Sequence, residues 1–363
     1  MVDKKKYRVG VIGRTGRGDY GHGLDRVWLE IDGAEIVALA DEDKGGREKK
    51  AKDLGVSATY ADYREMLAKE RPDIVSVCPR HIDAHRDMVL ACAEYGASMF
   101  LEKPMCRDLT EADEMVRACE MSHVKLAIAH QTRYNPRIPV AKKIIADELG
   151  QVLEFRGRGK EDRRGGGQDL WVLGTHVFDL MRYYGGNVAW CFATVRAKGR
   201  PVTKDDVYEG EEGIGPLAGD AIDAMFGFEN GVTGYFSTHR EMRGTPSRFG
   251  LAVYGSKGVL EMTPTAVIKV LLDSSWSPGR SGKRWLDVTT AGIDKPESGK
   301  IPHGNVLVVK DLIRSIEADD QPLGSIYEAR GATEMIAAVF ESHRQRGPVK
   351  LPLENRKNPL TML

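Results

Sequence analysis

Residues 7–21 read YRVGVIGRTGRGDYG, an apolar run that ends on a glycine and breaks at once into a turn. The run 7–13 has the length and composition of a buried strand, and the glycines at 13, 16, 18 and 21 permit a tight backbone after it. Four more runs repeat the pattern: EIVALAD (35–41), DIVSVC (73–78), SMFLEK (98–103) and KLAIAH (125–130). Helical stretches are expected between them, near 22–31, 44–54, 62–70, 82–95 and 110–122. Strands alternating with helices build βαβ units, a parallel sheet and right-handed crossovers. Residues 1–130 are therefore expected to form a doubly wound α/β domain.

Beyond a helix near 136–146 the pattern changes. VLEFRGRG (152–159), VAWCFATVRA (188–197), DAIDAMFGF (220–228), VTGYFSTHR (232–240), RFGLAVYG (248–255) and GVLEMT (258–263) are strand-like. Asn230-Gly231 and the Gly255–Gly258 turn are hairpin signals between neighbouring runs. Helices are expected at 169–184, 304–317 and 327–345. Residues 131–363 thus read as an α+β domain built on an open, largely antiparallel sheet.

Lys+Arg and Asp+Glu are both 53, so the chain is neutral and lacks the bulk charge that nucleic-acid or anionic-membrane binding uses. Five scattered cysteines without a CxxC pair suit reduced thiols in a cytoplasmic protein. No histidine spacing matches a zinc site, so no metal is expected. The Lys4–Lys6 run before YRVGVIG resembles the start of a signal peptide, but the apolar run is too short, and no stretch approaches the ~18 apolar residues of a membrane span.

The turn after the first strand is glycine-rich where a parallel sheet would hold a pyrophosphate. Read from Gly13, the GxGxxG pattern has Thr15 in its second position; read from Gly16, it fits as Gly16-x-Gly18-x-x-Gly21. Asp41 ends the second strand, 20 residues beyond Gly21, where a carboxylate accepts from ribose hydroxyls and repels a 2′-phosphate. The alternative for Asp41 is a cap on the next helix. NAD is favoured over NADP, although Arg14, Arg17 and Arg47 are each able to meet a 2′-phosphate.

The fifth strand ends SMFLEKPMC, with Glu102-Lys103-Pro104 where carboxyl ends of parallel strands line a crevice. With CPRHIDAH (78–85), HQTRYNP (130–136), GTHVFDL (174–180), FENG (228–231), YGSKG (254–258) and VKLPLEN (349–355), this resembles the Gfo/Idh/MocA family of nicotinamide-dependent oxidoreductases. The resemblance implies a Rossmann-type first domain and a second domain for substrate and oligomerisation. It implies that Glu102 and Lys103 lie at the cofactor, with Lys103 beside the reacting hydroxyl and His176 as the base that takes its proton. It also implies a sugar, cyclitol or related polyol substrate and a homodimer or homotetramer.

One position departs from the family pattern. An aspartate is usual four residues before the histidine, and here that residue is Val172. On one continuous helix Asp169 would lie about 20° from His176, and Asp179 at i+3 would also neighbour it. Asp169 is either a substituted catalytic carboxylate or a helix cap. Arg133 and His239 are further candidate substrate ligands, and the Gly165–Gly167 loop is either a mobile cover or a connector. Three functions compete: an NAD-dependent dehydrogenase, a redox-neutral glycosidase or lyase working through a transient keto-sugar, and a non-catalytic dinucleotide-binding sensor.

Overall fold

The computed structural model describes residues 6–363; Lys4 and Lys5 of the short basic run lie outside the described residues. The chain divides into two compact units. The first holds the chain up to Gln131 with Glu211–Gly215 and Pro302–Arg330; the second holds Thr132–Gly210, Pro216–Ile301 and Gly331–Leu363. Two later segments thus join the first unit, where a sequence reading places a single boundary at 130. Pairing explains one of them: the Ile128 N–H donates to Gly324 O at 2.9 Å, and Ala127 bridges Ser325.

In the first unit β1 (Tyr7–Ile12), β2 (Ala34–Ala40), β3 (Ala58–Tyr60), β4 (Ile74–Val77), β5 (Ser98–Leu101) and β6 (Leu126–Ile128) form one sheet. All pairs are parallel, in the order β3-β2-β1-β4-β5-β6. The order reverses between β1 and β4, and the crevice there is where such sheets bind ligands. α1 (Lys44–Leu54), α2 (Tyr63–Glu70), α3 (His85–Glu94) and α4 (Leu109–Met121) cover the faces. β4 and β5 are buried at every position, as strands covered on both sides must be.

The expected helix at 22–31 is reduced to one 3-10 turn, Val27–Glu30. Gly16, Gly18, Asp19, Gly21 and Gly23 all have φ between 50° and 88°, so no helix begins before Gly23. Too few residues then remain before β2. The glycine turn therefore presents a folded loop, not an α-helix N-terminus.

The second unit begins with α5 (Arg137–Asp147), β7 (Val152–Arg158), α6 (Gly167–Val172) and α7 (Gly174–Gly185). Then come β8 (Val188–Ala197), the short β9 (Arg200–Pro201), β10 (Tyr208–Gly210) and β11 (Gly215–Leu217), β12 (Ala221–Phe228) and β13 (Thr233–His239). β14 (Gly250–Gly255), β15 (Gly258–Met262), β16 (Ile268–Leu271), β17 (Leu286–Thr289) and β18 (Gly292–Ile293) follow, with a short helix α8 (Pro278–Ser281) among them. α9 (Gly304–Ala318) belongs to the first unit; α10 (Ile326–Gln345) and β19 (Val349–Lys350) follow, and a 3-10 turn, Pro359–Met362, ends the chain's regular structure.

The second sheet runs β18-β17-β16-β15-β14-β7-β13-β12-β8-β19, with β9 also on β8. Its pairs are antiparallel except β13 with β7. Both expected hairpins are present, joining β12 to β13 and β14 to β15. α7 packs on one face through Phe178, whose ring lies 4.8 Å from Phe236 and 5.4 Å from Phe226. Gly157 lets it approach: a Cβ there would lie 2.6 Å from Val177 and Met181. The helix expected over 169–184 is broken at Leu173 (φ −117°, ψ −35°), so Asp169 and His176 sit on different helices. The helical-wheel relation between them does not hold.

Candidate active site

In the first unit the glycine loop folds back on itself. Arg14 and Asp19 form an isolated bridge, and the Gly16 N–H donates to Asp19 Oδ1 at 2.9 Å. Gly18 lies against the chain after β4; a Cβ would sit 2.4 Å from Arg80 N. Asp41, 2% exposed, is the hub of the loop. It accepts from Thr15 N–H at 3.1 Å, Thr15 Oγ1 at 2.7 Å, Tyr20 Oη at 2.8 Å and Asp43 N–H at 3.0 Å. Burial and the Asp41 hydrogen bond push the Tyr20 phenol far above its ordinary value, so it stays a donor. Arg14 and Arg17 both pair with Asp83, at 3.2 and 2.8 Å, and Arg47 donates to Asp41 O.

These residues fit a dinucleotide at the loop. Gly16 has φ 79° and nothing within 4 Å of where a Cβ would stand, so the backbone there is open to a phosphate. At Asp41 the fit requires an exchange, with ribose hydroxyls replacing Thr15 or Tyr20 as donors, because the carboxylate's acceptor sites are already filled.

At the end of β5, Glu102 is fully buried. Oε2 accepts from His22 N–H at 2.9 Å and from His22 Nδ1 at 2.8 Å, and Oε1 accepts from Lys103 N–H at 2.9 Å. Burial raises its pKa, but the His22 contacts and the Lys103 charge outweigh it and hold the carboxyl below its ordinary value. Asn305, in the first turn of α9, donates to His22 O at 3.0 Å and fixes the loop from the other side. Lys103 itself is 7% exposed. His85 braces the same turn, with Nε2 2.7 Å from Pro79 O and Nδ1 3.1 Å from Pro104 O and Met105 O; burial lowers its pKa. His22 is the site residue that sequence reading missed, although the GHG at 21–23 is its signal.

In the second unit Asp169 on α6 is fully buried. Its Oδ2 accepts from Glu161 N–H at 3.0 Å and from the Thr238 hydroxyl, while Oδ1 has no partner among the described residues. Burial raises its pKa above its ordinary value, against the hydrogen bonds from Thr238 and Glu161. Gly159 is required beside it, since a Cβ would meet Asp169 Oδ2 at 2.2 Å. Val172 is buried at 3% exposure and His176 is half-buried on the first turn of α7.

Two expected substrate ligands are placed elsewhere. Arg133 is 3% exposed and committed to Asp179, with Nε 3.0 Å from Oδ2 and a terminal nitrogen 2.8 Å from Oδ1. Asp179 is therefore the ion-pair partner of Arg133. His239 follows Thr238 on β13, and strand alternation sends the two side chains to opposite faces. Thr238 meets Asp169 under α6, while His239 Nε2 lies 3.2 Å from Asp223 Oδ1 on the other face. The Gly165–Gly167 loop is a packed connector: all three glycines are buried, and a Cβ on Gly165 would lie 2.3 Å from Arg240 Cα.

Comparison with known proteins matches two profiles in series. The one described as "Oxidoreductase family, NAD-binding Rossmann fold" matches residues 7–130, and the GFO/IDH/MocA C-terminal domain matches 140–261. The chain is 28% identical over 195 residues to D-apiose dehydrogenase of Paraburkholderia graminis, covering 50% of this chain and 51% of that protein. Myo-inositol 2-dehydrogenase of Thermotoga maritima is 27% identical over 335 residues, covering 88% of this chain and 92% of that protein. In structure, levoglucosan dehydrogenase in complex with NADH and L-sorbose superposes with a TM-score of 0.77 at 20% identity, over 96% of this chain and 99% of that one. A glycine loop after β1, a Glu-Lys-Pro at the end of β5 and a mixed second sheet accompany both profile matches, and the chain is a member of the Gfo/Idh/MocA family of NAD(P)-binding oxidoreductases.

Proposed function

We propose that this protein is an NAD-dependent dehydrogenase that oxidises a secondary hydroxyl of a sugar, cyclitol or related polyol. The observation that carries the reading is the end of β5, where Lys103 is buried beside a Glu102 whose oxygens are held by His22 and by the Lys103 backbone. A buried ammonium at a sheet's carboxyl end stabilises negative charge as it develops on a substrate oxygen. His176 takes the hydroxyl proton, and a bound nicotinamide supplies the acceptor for the hydride. Asp169 is a fully buried carboxylate of the second unit, on the helix before His176. We assign it the positioning role that Val172 cannot fill. The relatives named for apiose and myo-inositol support the substrate class.

Preference for NAD is supported by Asp41, whose buried carboxylate would repel a 2′-phosphate, and by the engagement of Arg14, Arg17 and Arg47 with other groups. Assembly as a homodimer or homotetramer is supported by the sheet face opposite α7, where Phe192 and Tyr235 are 41% and 39% exposed. Light scattering tests this, a monomer at micromolar concentration counting against it.

His176→Asn should lower kcat by about a hundredfold or more with little change in NAD affinity. Near-normal turnover would remove His176 from the chemistry. Val172 favours one second reading, redox-neutral cleavage through a transient keto-sugar. Product cleaved without accumulated NADH would establish it, and NADH formed in step with product would eliminate it.

A further inference from the structure

We propose that the substrate of this site carries an acidic group, a carboxylate or a phosphate ester, which docks in an arginine-lined cleft of the second unit. The inference rests on the polyol-dehydrogenase reading and narrows its substrate class. The cleft, about 630 Å³, is lined by Asp162, Arg163, Arg164, Glu241 and Arg243, so every lining side chain is charged. The chain as a whole is neutral, yet segments 158–164 and 240–243 together carry six cationic and three acidic side chains.

Internal pairing absorbs part of that charge in a specific way. Arg164 is held by Asp162, with Nε 3.0 Å from Oδ1 and a terminal nitrogen 2.6 Å from Oδ2. Glu161 is buried and accepts from Arg248 at 2.7 Å and from Arg158 at 3.4 Å. Arg243 is exposed, and its guanidinium forms no ion pair among the described residues; only its backbone is tied, N–H to Glu161 O at 2.9 Å. The cleft thus keeps an unneutralised, planar donor fork, the group best shaped for a carboxylate or phosphate. Glu241 on the same wall is an acceptor suited to sugar hydroxyls.

Hydrogen bonds join this cleft to the proposed catalytic helices. The Asp169 N–H donates to Arg164 O at 3.0 Å, and the Asp169 carboxylate accepts from Glu161 N–H at 3.0 Å, so both ends of the cleft's first wall are bonded to Asp169. Leu173 N–H then bonds Asp169 O at 3.0 Å, and His176 N–H bonds Leu173 O at 3.2 Å. An acidic group in the cleft would orient a sugar on the unit that carries Asp169 and His176.

The test is calorimetric titration of NAD-loaded protein with hexuronates, aldonates and hexose phosphates, each beside its neutral sugar, with NADH fluorescence read on the same samples. At least one acidic sugar should bind about tenfold or more tighter than its neutral counterpart, with the difference fading in salt. Arg243→Ala should abolish that preference while leaving neutral-sugar affinity unchanged; Arg163→Ala, also exposed, provides a second variant. Uronates and phosphates separate the two acidic chemistries. Equal affinities, no binding of any acid, or a preference that survives in the double variant would overturn the proposal. Oxidation of neutral sugars without an acid preference would overturn the cleft alone. An Arg243-dependent acid preference without NADH would retain the cleft and overturn the dehydrogenase reading.

Discussion

Replacing Arg133 separates two roles that a sequence reading leaves open, substrate ligand and internal strut. The guanidinium and the Asp179 carboxylate are 3% and 1% exposed, and the fork also donates to Asp179 O at 2.9 Å. Arg133→Met retains most of the apolar stem and removes every one of these bonds. It leaves the Asp179 carboxylate of α7 buried without its cation, and breaking a buried pair in this way costs about 3–5 kcal/mol. For a unit of this size about 2–4 °C of Tm accompanies each kcal/mol, so a fall of roughly 6–20 °C is expected by scanning calorimetry. The double variant Arg133→Met with Asp179→Leu should recover much of the loss, because two apolar groups leave no charge unpaired. An Arg133→Met protein with unchanged Tm and a raised KM would refute the argument and return Arg133 to the substrate.

Two further outcomes follow from the first unit. Gly18→Ala puts a Cβ 2.4 Å from the Arg80 backbone on a residue with φ 88°, so the loop must move; NAD affinity measured by fluorescence quenching should fall at least about tenfold. Glu102 has its carboxyl held below the ordinary value of 4.5, so it stabilises the fold above that pH, and the contribution is lost as pH falls towards its folded value. Glu102→Gln should therefore lower Tm most at neutral pH, with the gap to the parent closing below 4.5; a gap independent of pH would count against the His22–Glu102 arrangement.

The first sheet was legible because each strand is a short apolar run bounded by turn residues, and five of its six strands follow from that pattern. β3 has only three residues, too few for its alternation to be read. The second sheet was legible where strands are long enough to show their pattern, in β7, β8, β12, β13, β14 and β15. β16 lies within VIKVLL (267–272), an apolar run whose pattern does not separate strand from helix, and β17 and β18 are too short to read. The missing helix after β1 was hidden for a different reason. Glycine marks where a turn is permitted, and five positive-φ residues among the eight from Gly16 to Gly23 depend on how the loop closes on Asp41 and Asp83. Site residues followed the same division. Glu102 and Lys103 could be placed because the end of a parallel strand is a fixed location. Arg133 and Asp179 found each other through tertiary packing across 46 residues, which no local spacing records.

Strand parity decides more of the second unit than residue type does. His239 has the side chain expected of a catalytic or binding group, and Thr238 does not. Yet β13 directs Thr238 towards α6 and His239 towards Asp223, so the threonine, not the histidine, bonds the buried carboxylate of Asp169. Asp169 in turn keeps one oxygen without a partner among the described residues and a raised pKa, an expensive setting for a carboxylate whose only duty is to cap α6. A cap needs no such burial, since Asp43 and Asp108 hold their helices' first N–H groups from exposed and half-buried positions. Perturbed carboxylates of this kind concentrate where proton chemistry is done. The burial of Val172 adds to this, because a hydrated acid has no place there. On the proposed function, proton chemistry in this unit is assigned to Asp169 and His176, which the break at Leu173 places on separate helices.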